Sequence, residues 1–332
     1  MVKIFASIAK KGFSLDIPND RSSHTVPTPR GGGAIIFVVW ACSVSILATL
    51  DVIDDKLAAT LLASSTIISG IGLLDDMKGL KASTRFVAHI LASCIVCMQL
   101  LNYRQAHLGS LDLKLGLFGP ALAVIFMAWS TNLFNFMDGI DGLAGSEGVW
   151  TCGVGGYALW HSGATGLALI SWSLAAAAGG FLVWNWPKAQ IFMGDVGSGF
   201  LGFLIAAVAL IGDYLYGVSV LVWIIAYGIF CFDASITLVR RIFNQECWYA
   251  GHRSHAYQRL HHRLGWSHLS VLKAISTANA VLCILAVWAI YSPKDTFLML
   301  GSAFALISVL YVLVELAAPM FKVATRGPTS SL

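Results

Sequence analysis

The sequence predicts an all-α protein: a polytopic integral membrane helical bundle of about ten transmembrane helices. Three observations predict it. Of 332 residues, 57% are hydrophobic and only 11% are charged, whereas a soluble domain carries about 25% charged residues. The apolar residues gather into long runs, several of them near the roughly 20 residues that a helix needs to span a bilayer. The basic residues collect on alternate sides of those runs, as the positive-inside rule requires. Residues 1–332 are expected to form one membrane-embedded domain.

The apolar runs fall at 34–50, 57–74, 85–101, 115–137, 143–160, 164–184, 199–211, 217–239, 269–291 and 297–318. The run at 199–211 is short, and that at 143–160 is interrupted by Gly153, Gly155 and Gly156. Those two are expected to tilt or break, which is tolerated where protein covers the backbone. The first residues are basic and polar, so no cleavable signal peptide is visible. Seven cysteines are scattered through the chain. Cys94 and Cys97 form a CxxC inside an apolar run, which reads as packing and not as a redox or metal site.

With the amino terminus placed inside, Lys3, Lys10, Lys11, Arg21, Arg30, Lys78, Lys81, Arg85, Lys188, Arg240, Arg241, Arg253, Arg259, Arg263, Lys273, Lys322 and Arg326 fall inside. Only Lys56, Arg104, Lys114 and Lys294 fall outside. Both termini are therefore expected in the cytoplasm. The same alternation puts the polar stretches 16–33, 75–85, 132–142, 185–198 and 240–268 on the cytoplasmic side. One composite site on that face is expected.

Its centre is Asn132-Leu-Phe-Asn135-Phe-Met-Asp138-Gly-Ile-Asp141-Gly. Polar groups recur every third residue, which on a helix makes a slowly drifting ridge. The ridge would rise roughly 13 Å at about 1.5 Å per residue. One Mg²⁺ holds its ligands at about 2.1 Å, so the whole row cannot bind one ion. Asp138 and Asp141 suit a metal, and Asn132 and Asn135 suit a substrate or a bridging water. The plain alternative is a helix end with Asp-Gly turns. Against it, each Asp would cost roughly 2.5–3.5 kcal/mol if placed centrally in a membrane segment.

Asp75-Asp76 stands where a membrane segment ends, followed by Lys78, Lys81 and Arg85. Adjacent carboxylates repel unless they share a cation or a proton. They suit Mg²⁺ binding beside a diphosphate, or one of them can act as a base; a polar helix terminus is the alternative. Gly194-Asp195-Val-Gly197-Ser198-Gly199 opens the run at 199. Glycines before a helix leave N–H groups for phosphate, and Asp195 adds a carboxylate. Arg21 to Gly33 is rich in Pro, Arg and Gly, and Arg30 could meet phosphate or simply anchor the chain at the membrane. The loop 240–268 carries His252, Arg253 and His255, then His261, His262 and Arg263. Its spacing does not match a closed zinc site. Arg and His facing a nucleotide diphosphate is better chemistry, with an anionic-lipid-facing loop as the alternative. Asp233 lies seven residues before Arg240, about 10 Å deep by helical rise, and is expected to face the bundle interior. Glu147 and Glu315 read as structural.

Together these stretches resemble the polyprenyl-phosphate N-acetylhexosamine-1-phosphate transferases, glycosyltransferase family 4, the WecA/MraY superfamily. The segment 18–33, Asp75-Asp76, the Asn132 to Ala144 run, Gly194 to Gly199 and the 252–262 loop occur in the family's order. The HRSHAYQRL form of the last is closest to the WbpL-like branch that starts O-antigen synthesis. The resemblance implies a multi-pass protein of the bacterial inner membrane. It implies transfer of sugar 1-phosphate from a UDP-N-acetylsugar to undecaprenyl phosphate with release of UMP, using Mg²⁺ or Mn²⁺. A homodimer is compatible with it, and no nucleic acid is involved. Asp75 and Asp76 match the motif implicated in activating or holding the lipid phosphate, and Asn135, Asp138 and Asp141 match the second acidic motif. Asp195 matches a metal ligand, and His252 and His255 match the nucleotide-sugar diphosphate loop. The implied division is Asp75, Asp76 and Asp138 catalytic, Asp141 and Asp195 on the metal. Asn132, Asn135, His252, Arg253, His255 and Arg30 would bind substrate. Which Asp is base and which is ligand stays open.

Members usually carry one further span, eleven in all, before the Pro/Arg/Gly segment. Here only Met1 to Gly12 precede it, so that first span is expected to be missing, through a misplaced start or a real loss. Two rivals remain from the residues alone. A membrane prenyltransferase would carry a second, wider Asp-rich motif and lack the Gly-Asp-Val-Gly-Ser loop. A transporter of an anionic lipid or nucleotide sugar would place its acids deep in the bilayer, where only Asp233 fits.

Overall fold

A computed structural model describes residues 15–16, 27–247 and 252–321. The termini, the stretch 17–26 with Arg21 and His24, and residues 248–251 lie outside the described residues. The elements are β1 (Leu15–Asp16), β2 (Thr28–Pro29), α1 (Gly33–Thr49), α2 (Asp55–Lys78) and α3 (Ala82–Cys97), then β3 (Gln105–Leu108) and β4 (Leu111–Lys114). They continue with α4 (Gly119–Met137), α5 (Leu143–His161), α6 (Thr165–Asn185), α7 (Asp195–Tyr216), α8 (Val220–Ala226) and α9 (Gly228–Phe243). The last described elements are α10 (Ala256–Leu264), α11 (His268–Tyr291) and α12 (Thr296–Ala317).

Every apolar run in the sequence is helical. Among the described residues six helices are long and apolar enough to cross a membrane, and a bent pair, counted as one span, brings this to seven. α1 and α3 are apolar but shorter, and α5 supplies the remaining run. Local chemistry sets several boundaries. The Asp54 carboxylate accepts the Leu57 N–H at 3.1 Å and starts α2. Ser267 does the same for α11 through the Ser270 N–H, also at 3.1 Å.

The expected breaks fall elsewhere than the sequence suggested. α5 is continuous through Gly153, Gly155 and Gly156. The short run at 199–211 is the core of α7, an unbroken helix of 22 residues. Its 18-residue window is entirely buried, against 17% for α12. A helix covered on all sides by protein needs no continuous lipid-facing surface, so its polar and glycine-rich amino end does not shorten it. The break instead divides the run at 217–239: α8 and α9 meet at Tyr227 with a bend of 80°. Both sides of the bend are tied down. Tyr227 is buried against Phe134, and α9 turns Asp233 and Thr237 into the interior.

α7 is the hub. It packs on α1, α2, α4, α5 and α6 and is followed directly by α8. α2 comes close because Gly72 has no side chain: a Cβ there would stand 2.6 Å from the Asp195 carbonyl carbon. At one end of the bundle, the β3–β4 hairpin is pinned to the carboxyl end of α7. Asp213 accepts the Tyr103 hydroxyl at 2.6 Å and the His107 backbone N–H at 2.9 Å. The ends of α2, α4, α6 and α9 and the starts of α3, α5, α7 and α11 gather at the opposite end.

Candidate active site

The polar stretches meet at that opposite end. The segment after β2 runs beside the chain that enters α7. Gly32 and Gly33 donate their N–H groups to the carbonyls of Phe192 and Met193, each at 2.9 Å. This lays Arg30 across two carboxylates: its Nε is 2.9 Å from Asp76 Oδ1, and its Nη2 is 2.6 Å from Asp195 Oδ1. Arg85, at the start of α3, closes the other side. Its Nη1 is 2.7 Å from Asp75 Oδ2 and 2.6 Å from Asp195 Oδ2. Burial works against the Arg30 charge, but Asp195 and Asp76 outweigh it and hold the guanidinium above its ordinary pKa.

Asp76 has a further task. Its two oxygens accept the N–H groups of Asp195 and Val196, at 2.9 and 3.2 Å. Gly194 makes room for this at φ 74°, where a Cβ would run into the Asp76 carboxylate. The next two N–H groups, of Gly197 and Ser198, turn back to the Gly194 carbonyl at 3.0 and 3.1 Å. The phosphate cradle expected from the glycines of this loop is therefore filled from within, by Asp76. An anion does sit at the helix start, as the dipole favours, but it belongs to the protein.

The second acidic motif is not one helical ridge. α4 ends at Met137, Asp138 is its cap and Asp141 lies in the following turn. The Asp-Gly turn chemistry is real and coexists with the cluster. Asn135 donates from Nδ2 to the Ser198 hydroxyl at 3.3 Å. Asp141 is fixed by the Ala189 N–H at 3.1 Å and by His268 Nδ1 at 3.2 Å. Asn132 sits apart from the carboxylates, bonded to the Ala128 carbonyl at 2.7 Å and facing His89. Of the five predicted carboxylates, only Asp138 has no hydrogen bond or ion pair to its side chain among the described residues. Burial, and next to it the charges of Asp195, Asp76 and Asp141, push its carboxyl well above the usual range, with Arg30 opposing.

The His/Arg loop reaches the same place. Asp233 lies inside the bundle, as expected, and accepts the Ala256 N–H with both oxygens, at 3.0 and 2.9 Å. It also accepts the Thr237 hydroxyl at 3.0 Å. Asp233 thereby fixes the start of α10, and the Tyr257 hydroxyl then donates to the Phe136 carbonyl at 3.0 Å, two residues before Asp138. His255 stacks on Phe136 at 6.4 Å, and His252 lies tilted against His255 at 4.8 Å between ring centroids. Burial, with His255 and Arg241 nearby, lowers the His252 pKa to about 3. It is a neutral imidazole in this arrangement, not a cation. The Arg253 Nε is buried with no partner among the described residues, an unmet donor that suits an anionic ligand.

The donor set fits a hard divalent cation. Carboxylate oxygens suit Mg²⁺ or Mn²⁺, and Asp138, crowded by Asp195, Asp76 and Asp141 and without a side-chain partner among the described residues, is where added positive charge relieves repulsion. Among the described residues no three His, Cys, Asp or Glu side chains converge to hold a metal alone.

Several of these contributions were not read from the sequence. Arg85 stood out only as a positive charge. Its spacing from Asp75, across one turn and into the next helix, was the available signal. His268 and Asn185 give none, because their roles exist only once distant segments meet. Asn185 Oδ1 receives the Gly142 N–H at 2.9 Å, across 43 positions.

Comparison with known proteins gives a consistent answer. The family profile described as glycosyl transferase family 4 matches residues 58–213. It takes in Asp75-Asp76, the second acidic motif and the start of α7, and stops before the His/Arg loop. The chain is 31% identical to a probable undecaprenyl-phosphate N-acetylglucosaminyl 1-phosphate transferase of Bacillus subtilis, over 94% of this chain and 87% of the relative. It is 30% identical to a decaprenyl-phosphate N-acetylglucosaminephosphotransferase of Mycobacterium tuberculosis, over 89% and 81%. To an undecaprenyl-phosphate alpha-N-acetylglucosaminyl 1-phosphate transferase of Escherichia coli O157:H7 it is 29% identical, over 86% and 79%.

Proposed function

The chain belongs to glycosyl transferase family 4, and on that basis we propose that it moves an N-acetylhexosamine 1-phosphate from a UDP-N-acetylsugar to undecaprenyl phosphate, releasing UMP. The observation that carries this reading is the convergence of Asp75, Asp76, Asp138 and Asp195 with Arg30 and Arg85 at one end of a membrane bundle. Carboxylates and guanidiniums packed together in this way suit two phosphorylated substrates better than a transported solute. The excess of basic residues on that end supports a cytoplasmic orientation in the inner membrane. The HRSHAYQRL segment supports a place at the start of O-antigen or a related cell-envelope polysaccharide.

In this reaction an oxygen of the lipid phosphate attacks the β-phosphorus of the nucleotide sugar, and the bond to the UMP oxygen breaks. A phosphate nucleophile is ionised at neutral pH, so the chief demand on the protein is placement and charge stabilisation. Arg85 uses only Nη1 for its two carboxylates. Its Nε and Nη2 remain as donors for a phosphate oxygen, in the fork that suits phosphate. Arg30 balances Asp76 and Asp195 from the opposite side. Asp233 and Tyr257 tie the segment carrying His252, Arg253 and His255 to α9 and to the end of α4, and those side chains suit the donor diphosphate. Asp138, with Asp195 beside it, would hold Mg²⁺ or Mn²⁺, and that ion would neutralise charge on the diphosphate. One diphosphate bond replaces another, so the transfer is freely reversible.

The test is lipid-dependent release of UMP from a panel of UDP-N-acetylsugars by the purified chain, beside Asp138→Asn. UMP release that the variant lacks establishes the reaction and names the sugar. No UMP from any sugar, or UMP release unaffected by the variant, overturns it.

A further inference from the structure

His89 belongs to none of the motifs, yet it stands beside the site. It lies on α3 one turn further into the bundle than Arg85 and on the same face, about 6 Å deeper by helical rise. It is only 8% exposed, within electrostatic reach of Arg85 and Asp195. Its Nδ1 is 3.3 Å from Asn132 Nδ2.

That contact fixes the imidazole. The Asn132 amide is itself oriented, because Nδ2 donates to the Ala128 carbonyl at 2.7 Å, a position an amide oxygen could not take. Nδ2 is therefore the donor toward His89, and Nδ1 the acceptor. A neutral imidazole that accepts at Nδ1 carries its proton on Nε2. Nε2 has no hydrogen-bond partner among the described residues, and it is not sealed from its surroundings. The result is a single N–H donor, preset in its tautomer, one turn deeper in the bundle than Arg85.

We propose that His89 Nε2–H binds the phosphate of the lipid acceptor, with Asn132 as the residue that sets its tautomer. The identity of that phosphate rests on the transferase reading. A nucleotide sugar reaches the carboxylates from the water, whereas a lipid headgroup reaches them from the bilayer. A donor one turn below Arg85 is on the lipid's side. A histidine that merely packs would not distinguish the two substrates.

The experiment uses the full chain in detergent and three proteins: wild type, His89→Ala and His89→Gln. Affinity for undecaprenyl phosphate is read by native mass spectrometry, and KM for each substrate by UMP release. His89→Ala is expected to weaken lipid binding about tenfold, the scale of one hydrogen bond to a charged group. KM for the nucleotide sugar should move less than twofold. His89→Gln should restore most of the affinity, since its amide N–H takes the place of Nε2–H. His89→Phe keeps the volume without the donor and serves if the alanine variant does not fold. Unaltered lipid affinity in the variants lacking the donor, a glutamine variant as weak as alanine, or a change confined to the nucleotide sugar would overturn the proposal. Lipid binding weakened as expected, but with no UMP from any sugar, would overturn the transferase reading and leave the phosphate seat standing.

Discussion

Asp76 caps the helix that begins at Asp195, accepting the N–H groups of Asp195 and Val196 at 2.9 and 3.2 Å. Asp138, a short way off, carries no such duty. Two carboxylates of one cluster therefore have separable jobs. Asp76→Asn loses one charged acceptor from a helix start, worth about 1.5–3 kcal/mol. Its thermal midpoint and its activity are expected to fall together. Asp138→Asn is expected to lose activity by at least about a hundredfold, the scale of one lost electrostatic group, at an unchanged midpoint. Scanning fluorimetry beside UMP release separates the two; equal loss of stability in both variants would contradict the assignment.

Cation binding should be linked to protons. Asp138 is held well above the usual carboxyl range, so a proton competes with the metal there. Mn²⁺ affinity, followed by electron paramagnetic resonance, is expected to rise with pH until Asp138 is ionised. Asp138→Asn should remove both the tight binding and its pH slope. A pH-independent affinity in the wild type would rule out Asp138 as the ligand.

Arg85 bridges Asp75 and Asp195 through one nitrogen and keeps further donors for substrate. Lysine is a point charge without that fork. Arg85→Lys is expected to lose about ten- to a hundredfold in kcat/KM, the scale of one charged hydrogen bond. Full activity in Arg85→Lys would mean that charge alone suffices.

His252 sets a pH window for stability. Burial lowers its folded pKa to about 3 from 6.5. As pH falls below about 6.5 the unfolded chain takes up a proton that the folded chain refuses, so stability is full above that pH and declines toward 3. Between pH 7.5 and pH 5 the wild-type midpoint is expected to fall further than that of His252→Gln. A wild-type-to-variant difference that does not change with pH would show that His252 titrates normally when folded.

Much of this was legible in the chain. The helices follow from apolar runs, and the runs and charges together place Arg30, Asp76, Asp138 and Asp195 at one end. Asp233 was correctly turned inward by its depth. What stayed hidden depends on partners far away in sequence. Nothing local says that the glycines before α7 serve a carboxylate from α2 and not a phosphate, since both are anions at a helix start. Nothing local shows that the run at 217–239 bends at Tyr227, because the bend depends on Phe134 and on the interior partners of α9. The polar spacing at 132–141 suggested a ridge because every third residue also suits a turn following a helix.

The burial of α7 bears on how the protein is made. A ribosome delivers α1 to α6 to the bilayer first, and α1, α2, α4, α5 and α6 all touch α7 in the finished fold. The packing of those earlier helices around this position is therefore completed only once α7 has joined them. α7 is apolar enough to cross alone, with a mean hydropathy of 1.9 over 18 of its residues. It brings in Asp195 at one end and Asp213 at the other. Until it arrives, Arg30 and Arg85 lack Asp195, and Asp76 has no helix to cap. Assembly of the charged cluster thus waits for α7, and a nascent chain halted before residue 195 has six of the twelve described helices but no site.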